Sequence, residues 1–245
     1  MTPPRARKKI HHCIAAALSP LWRAFQDFKS HPDLAELYPE YLFLSHAIVR
    51  ASVPLMQDAL TQTEKLSTRD PLTAQLEMYF AKHIPEEIDH DLWLLEDFEE
   101  LGLDRTALLR RLPPPTVAAL VGAQYYWIRH YHPVALLGYI AVLEGYPPRI
   151  EDINQMIERS GLPKSAFRTL AHHAGLDPSH SRDLDTFFDT IPLSQDQLAS
   201  ICSNSVTTVR LLSAAFADLL DPNKNQDILP LLRTEARLPG WALSS

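Results

Sequence analysis

Residues 134–144 read VALLGYIAVLE, and this stretch decides the fold class. Ten almost wholly apolar residues follow one another without the alternation of a surface strand, which predicts an apolar helix. Gly145 and the prolines just after it end the run in the manner of a helix C-terminus. Glu144 closes the run. A carboxylate there is either exposed at the helix terminus or, if buried, paired or bound to a metal.

The remaining sequence is also helical in character. Seven glycines among 245 residues and a hydrophobic share of 46% favour an all-α protein with a substantial core. We expect a single helical domain over residues 31–245, preceded by an N-terminal extension over residues 1–30. Apolar periodicity and breaker residues predict helical segments at 33–60 (interrupted at Pro54), 72–101 (kinked or restarted at Pro85), 105–111, 116–144, 150–160, 164–174, from 177 onward, and 194–220.

Charge and cysteine usage exclude several classes of function. A net charge of -7 is unfavourable for a general nucleic-acid binder. The basic run at 5–9 precedes the long periodic segments, so we expect a solvated tail. Cys13 and Cys202 are two isolated thiols and predict neither a disulfide framework nor a thiolate metal site. No apolar stretch is long enough to span a membrane, and no signal sequence is apparent, so we expect a cytoplasmic protein.

Two segments share an unusual spacing of histidines and carboxylates. They are His83-x3-Glu87-x2-His90 and His173-x3-Asp177-x2-His180, which we call the first and the second triplet. On a continuous helix, offsets of four and seven residues fall within roughly 60° of arc, so all three side chains face one way. Imidazoles and carboxylates suit iron, manganese or zinc. The alternative is that both triplets are solvated helix faces.

A dinuclear metal centre usually needs a bridging carboxylate as well as two such triplets. Glu144, at the end of the apolar run, is the best candidate for that bridge. A separate stretch at 125–132, YYWIRHYH, is aromatic and basic. Its Tyr126 and Arg129 are candidate substrate-binding residues, although the stretch is equally typical of ordinary core or interface.

These residues resemble a known family. The pattern comprises Glu87-x2-His90, the segment from His132-Pro133 to Leu143-Glu144-Gly145, and the second triplet with its Leu176-Asp177-Pro178. It is similar to the haem-oxygenase-like diiron oxidases and oxygenases, often called iron-containing redox enzymes. Their helical-bundle fold is shared with thiaminase II and pyrroloquinoline-quinone synthase. The resemblance spans roughly residues 37–220.

The resemblance implies a ligand set for two Fe(II) ions. His90, Glu144 and all three residues of the second triplet match the family's ligand positions. The family commonly has a glutamate seven residues before the first-helix histidine, whereas this chain has His83 there. His83, Glu86 or Glu87 therefore completes the first-helix set.

The resemblance also implies an activity. We expect an O2-dependent oxidase or oxygenase of biosynthesis acting on an amino-acid-like or amine metabolite, by N-oxygenation, desaturation or C–C cleavage. One alternative is a fatty-acid-type oxidative decarboxylase or desaturase, and another is a metal-free module like thiaminase II. An apolar tunnel would favour the fatty-acid alternative, and a compact pocket with an arginine the amine. A small-molecule substrate is the expected partner, with room for an external electron donor and a homodimer, but not for nucleic acid or a membrane.

Overall fold

The computed structural model describes the backbone of residues 3–66 and 72–221, and the side chains of those ranges except 3–5 and 176–180. All regular structure in these ranges is helical, which confirms the all-α prediction. The α-helices are α1 (Pro3–Ala17), α2 (Ser19–Ser30), α3 (Leu34–Val49), α4 (Ser52–Glu64), α5 (Thr73–Glu87), α6 (His90–Glu99), α7 (Arg105–Leu109), α8 (Pro115–His130), α9 (Leu136–Leu143), α10 (Ile150–Ser160), α11 (Arg168–Thr190) and α12 (Gln195–Leu220). Short 3-10 segments at Pro133–Ala135 and Lys164–Phe167 precede α9 and α11.

The apolar run forms α9, which packs closely on α12 at the centre of the bundle. Gly138 permits this approach, because a Cβ atom there would lie 2.3 Å from the Ile201 carbonyl oxygen. The predicted single helix over 116–144 is wrong. It is divided into α8 and α9 at residues 131–135, where Pro133 cannot supply a backbone donor. The Asn204 amide on α12 bonds to the Ala135 carbonyl and fixes this break.

The predicted helix over 72–101 is also two helices. Pro85 lies inside α5, and the chain breaks two residues later, where Ile88 is extended and Asp89 has a left-handed φ of 69°. Aspartate tolerates this conformation better than most residues. The break lies between Glu87 and His90, so the first triplet spans two helices rather than one.

The second triplet lies on one helix, although the sequence predicted a new helix beginning at residue 177. The backbone of α11 continues from Arg168 to Thr190 through Asp177-Pro178. Packing of α11 against α1, α6 and α10 outweighs the local helix-start signal. The side chains at 176–180 lie outside the described residues.

The N-terminal segment belongs to the packed bundle. Ile10 and Ile14 of α1 are buried against α12, and Arg7 pairs with Asp189 at 3.0 Å. The solvated-tail prediction is therefore wrong, because the basic run precedes an apolar helical stripe that carries it onto the core.

The two cysteines are both free but are not isolated from each other. Burial, followed by the hydrogen bond to the Cys13 thiol, raises the pKa of Cys202 to about 12. The two thiols lie close together because α1 packs on α12, and neither forms a disulfide. None of the described helices is long and apolar enough to cross a membrane.

Candidate metal centre

His83 connects the end of α5 to the end of α9. Its Nε2 lies 2.9 Å from Glu144 Oε1, and its Nδ1 lies 3.1 Å from Glu86 Oε2. Burial lowers the pKa of His83, but the hydrogen bond to Glu144 and the surrounding carboxylate charges outweigh it, so the pKa is raised. The Glu144 side chain is only 14% exposed. The solvent-exposed alternative for Glu144 therefore does not hold.

Glu87 and His90 form a second buried pair across the break between α5 and α6. Glu87 Oε2 lies 3.2 Å from His90 Nδ1, and both side chains are buried. Burial raises the pKa of Glu87, but the hydrogen bond to His90 and the charges of the nearby histidines outweigh it, so the pKa is lowered. The left-handed Asp89 lets two side chains three positions apart meet although they belong to different helices.

Three donor side chains already lie at metal-binding distances from one another. Ligand atoms of His83, Glu87 and Glu144 all fall within 4.8 Å of each other. This set of one imidazole and two carboxylates suits iron or manganese. Glu86, by contrast, bonds the outer nitrogen of His83 and is 35% exposed. Among the three first-helix alternatives, the geometry favours His83 together with Glu87 over Glu86.

His173 of α11 adds a further imidazole to this cluster. Its ring centre lies 5.1 Å from that of His90, with the ring planes nearly perpendicular at 88°. Trp93 stacks on the His90 ring with ring centres 4.1 Å apart and restricts its orientation. The side chains of Asp177 and His180 lie outside the described residues, so their roles as ligands stay predictions.

Two tyrosines near the cluster escaped the sequence prediction. Tyr79 stacks on His83 with ring centres 5.2 Å apart, and burial followed by the charges of Glu144 and Glu87 raises its pKa well above its usual value. Tyr139 is buried in α9, and burial followed by the Glu87 charge raises its pKa. Tyr139 is the single polar side chain among residues 134–143, and this feature could have identified it from the sequence. Tyr79 carries no comparable signal.

A buried carboxylate outside the cluster holds the start of α11. Asp97 accepts a hydrogen bond from the Thr169 backbone N–H at 2.9 Å, one of the first amides of the helix that carries His173. Such amides lack partners within the helix. Burial raises the pKa of Asp97 to about 6, although the Thr169 hydrogen bonds and the Arg168 charge oppose the shift. Asp97 thus positions α11 against α6.

The cluster borders a cavity of about 410 Å³. Glu87, Glu144 and His173 line the cavity together with Tyr139. Most of the remaining lining consists of leucine, isoleucine, valine and aromatic side chains contributed by α2, α3, α4, α9 and α12. This arrangement brings a small molecule in an apolar environment next to the His and Glu donors.

The two predicted substrate-binding residues lie elsewhere. Arg129 is bound to Asp58 at 2.8 Å and its side chain is 56% exposed. Tyr126 is 64% exposed and contacts His130. Neither lines the 410 Å³ cavity. Their face of α8 points outward.

The donors fit iron by their chemistry and by their burial. Burying ionised groups is costly unless opposite charges compensate them. Five imidazole and carboxylate side chains lie close together here, and bound cations would compensate the carboxylate charges. The alternative that the first triplet is a solvated helix face does not hold, because His83, Glu87 and His90 are all at most 9% exposed.

Solved structures share the fold of this chain. Comparison with curated proteins gives no match. A domain of unknown function with a haem oxygenase-like fold from Shewanella denitrificans OS217 has 16% identity and a TM-score of 0.76, covering 90% of this chain and 94% of that chain. A TenA homologue from Pseudomonas syringae pv. tomato DC3000 has 13% identity and a TM-score of 0.67, covering 87% and 91%. At these identities both show the fold alone.

A match to a family model shows the family as well as the fold. Residues 49–211, about two thirds of the chain, match the model described as iron-containing redox enzyme. The matched range contains every residue of both triplets and Glu144. This chain therefore belongs to the family of iron-containing redox enzymes with a haem oxygenase-like fold.

Proposed function

We propose that this protein is a non-haem diiron oxidase or oxygenase that uses O2 to oxidise a small molecule bound in the 410 Å³ cavity. One observation carries the proposal, namely that two members of the donor set of His83, Glu87 and Glu144, the two glutamates, line a mainly apolar cavity. A metal site that faces such a cavity fits catalysis, whereas a structural metal site is closed by its ligands.

The ligands divide into two sets around Glu144. His83 and Glu87 would hold one ion, and His90 and His173 the other, with Glu144 as the bridging carboxylate. Asp177 and His180 would complete the second set. Ferrous ions held by these residues would supply the reducing electrons for O2, and an external donor would restore them.

The protein's own residues orient the donors and exclude water. Glu86 holds His83 from its outer nitrogen, and Tyr79 stacks on its ring. A carboxylate bound to the outer nitrogen of a ligating histidine fixes the ring and raises its basicity. Trp93 stacks on the His90 ring and restricts its orientation in the same way. The apolar cavity wall keeps bulk water from the reacting atoms.

The cavity lining bears on the substrate. An amino-acid-like or amine substrate was the first expectation, with an arginine as its carboxylate anchor. Arg149 does line the cavity, but its Nε and Nη2 bond to Asp152 at 3.0 and 3.4 Å and its side chain is 65% exposed. The mainly apolar wall favours the alternative, a fatty-acid-type substrate that is decarboxylated or desaturated.

A metal-free module like thiaminase II is the remaining alternative. The similarity to a TenA homologue supports only a shared fold. The buried donor cluster argues against this alternative, because a metal-free binding site has no evident need for so many imidazoles and carboxylates around one point.

Oxygen consumption tests the proposal. Protein loaded anaerobically with Fe(II) is mixed with O2 in the presence of a saturated carboxylic acid, an aliphatic amine or an amino acid, and the products are identified by mass. We expect O2 uptake that depends on the saturated carboxylic acid and is lost in the His173→Ala variant. Equal uptake in the variant, or turnover of the amino acid alone, contradicts the proposed chemistry or substrate respectively.

A further inference from the structure

One wall of the cavity, which we call the remote wall because α2 carries no candidate ligand, is built by a part of the chain outside the family match. The donors that line the cavity belong to residues 49–211. The remote wall comes instead largely from α2 and the residue preceding it, through Leu18, Leu21, Trp22 and Phe25, with Phe216 of α12 beyond the other end of the matched range. The donors thus lie within the matched range, whereas this wall lies outside it.

Helix α2 stands apart from the helices that carry the candidate ligands. It packs mainly against α12, α3 and α10, none of which carries a predicted ligand. Phe25 meets Phe216 edge to face at 6.2 Å, and Tyr41 of α3 lies 6.0 Å from Phe216. These three aromatic rings all line the cavity.

Helix α2 is anchored by an ion pair at one end, and its Trp22 is partly exposed to solvent. Lys29, near the end of α2, pairs with the buried Asp152 of α10 at 2.5 Å. Trp22 lines the cavity while 48% exposed, so the cavity approaches solvent beside α2. A wall anchored at one end by a largely buried ion pair gives a defined limit to the space available to a ligand.

The volume sets the size of that ligand. An apolar cavity of about 150 Å³ holds one benzene molecule, so a cavity of about 410 Å³ has room for about 12 to 16 non-hydrogen atoms. The lining of the cavity is mainly apolar. An unbranched hydrocarbon chain with one polar end fits such a space, with the polar end beside the donors.

We propose that α2 determines the length of the hydrocarbon chain that the cavity accepts, with Leu21 and Phe25 as the specificity-determining residues. The nature of the ligand rests on the proposed function, whereas its binding in the cavity does not require iron. The chain runs from the donor cluster toward α2 and ends against the ring of Phe25.

Binding to metal-free protein tests this proposal separately from the oxidation. Saturated unbranched carboxylic acids of about 6 to 16 carbons are titrated calorimetrically into the full-length wild type and into each variant. We expect an optimum at an intermediate chain length in the wild type. Phe25→Ala should move the optimum to acids longer by about two to four carbons, since it removes a six-membered ring from the wall. Leu21→Trp should move it to shorter acids.

Phe28→Ala is the matched control. Phe28 lies on the same helix, is fully buried and contacts Phe216 and Tyr41, but it does not line the cavity. It should lower stability like Phe25→Ala and leave the optimum unchanged.

Because Phe25→Ala removes buried packing, Leu21→Trp keeps the test decisive if that variant fails to fold. An unchanged optimum in Leu21→Trp, or no binding of any acid to the wild type, overturns the proposal. A normal shift in binding combined with absent O2 uptake contradicts the proposed function instead.

Discussion

His83 Nε2 lies 2.9 Å from Glu144 Oε1, and this contact joins two helices whose residues are 61 positions apart in the chain. The same imidazole is bonded by Glu86 on its outer side, while Glu87 faces the cluster from the inner side. The two adjacent glutamates thus have different relations to the centre. One lies among the candidate ligands and the other supports a ligand.

Substituting each glutamate separates these roles. Glu87→Gln should remove a ligand and lower the bound iron by about one ion per chain. Glu86→Gln should keep the stoichiometry and weaken the affinity by about tenfold to a hundredfold, as loss of a ligand's supporting partner does. Iron content after anaerobic equilibrium dialysis measures both. Equal loss of stoichiometry in the two variants contradicts the assignment.

Asp97 should make stability fall as the pH rises through the acid range. Burial raises its folded pKa from 3.8 to about 6, so between these values the folded state binds more protons than the unfolded state. The resulting decrease in the free energy of unfolding is at most about 3 kcal/mol. Asp97→Asn keeps the acceptor for the Thr169 amide and removes this titration.

Urea unfolding of wild type and Asp97→Asn from pH 4 to pH 7 measures the difference. The variant should gain stability relative to the wild type across this range and change little above it. A difference in unfolding free energy that stays constant with pH speaks against a raised pKa at Asp97.

Gly138 is required by the close approach of α9 and α12. A Cβ atom there would lie 2.3 Å from the Ile201 carbonyl oxygen and 2.9 Å from the Ser205 amide nitrogen. Gly138→Ala should lower the free energy of unfolding by about 1–3 kcal/mol, since rigid backbone must move. Gly122→Ala is the control, because open space surrounds that position in α8 and alanine favours the helix. Similar unfolding midpoints for the two variants contradict this explanation.

Asp89 lets the chain turn between Glu87 and His90. Asp89→Gly should preserve iron stoichiometry, because glycine adopts the left-handed region freely. Asp89→Val should lower stability by about 1–3 kcal/mol and reduce iron binding, because a β-branched residue is strained there. Iron content and urea unfolding of both variants check this. Normal iron binding by the valine variant shows that the turn does not position the pair.

The sequence predicted a helix correctly where a local residue, such as a glycine, determines where that helix ends. Helix α10 has its predicted bounds because Gly161, with a left-handed φ of 66°, ends an amphipathic run. A kink or restart was predicted at Pro85, but the helix ends after Glu87, because Asp89 takes the left-handed conformation and an aspartate gives no clear signal of it. The continuation of α11 through Pro178 likewise depends on tertiary packing that a local pattern does not contain.

The candidate site divides in the same manner. The first triplet and Glu144 were identifiable from spacing and from an acidic residue after an apolar run, and the structure brings them together. Tyr79 and Asp97 act through contacts with His83 and with Thr169 that are remote or unpatterned in sequence. Arg129 was a candidate by composition alone, and its partner Asp58 lies on another helix.

The number of iron ions that the protein binds tests the central claim most directly. Fe(II) is titrated anaerobically into metal-free wild type and His173→Ala, and bound iron is counted against protein concentration. We predict saturation at two ions per chain in the wild type and at most one in the variant. Saturation of the wild type at one ion or none, or two ions retained by His173→Ala, contradicts a diiron centre at this site.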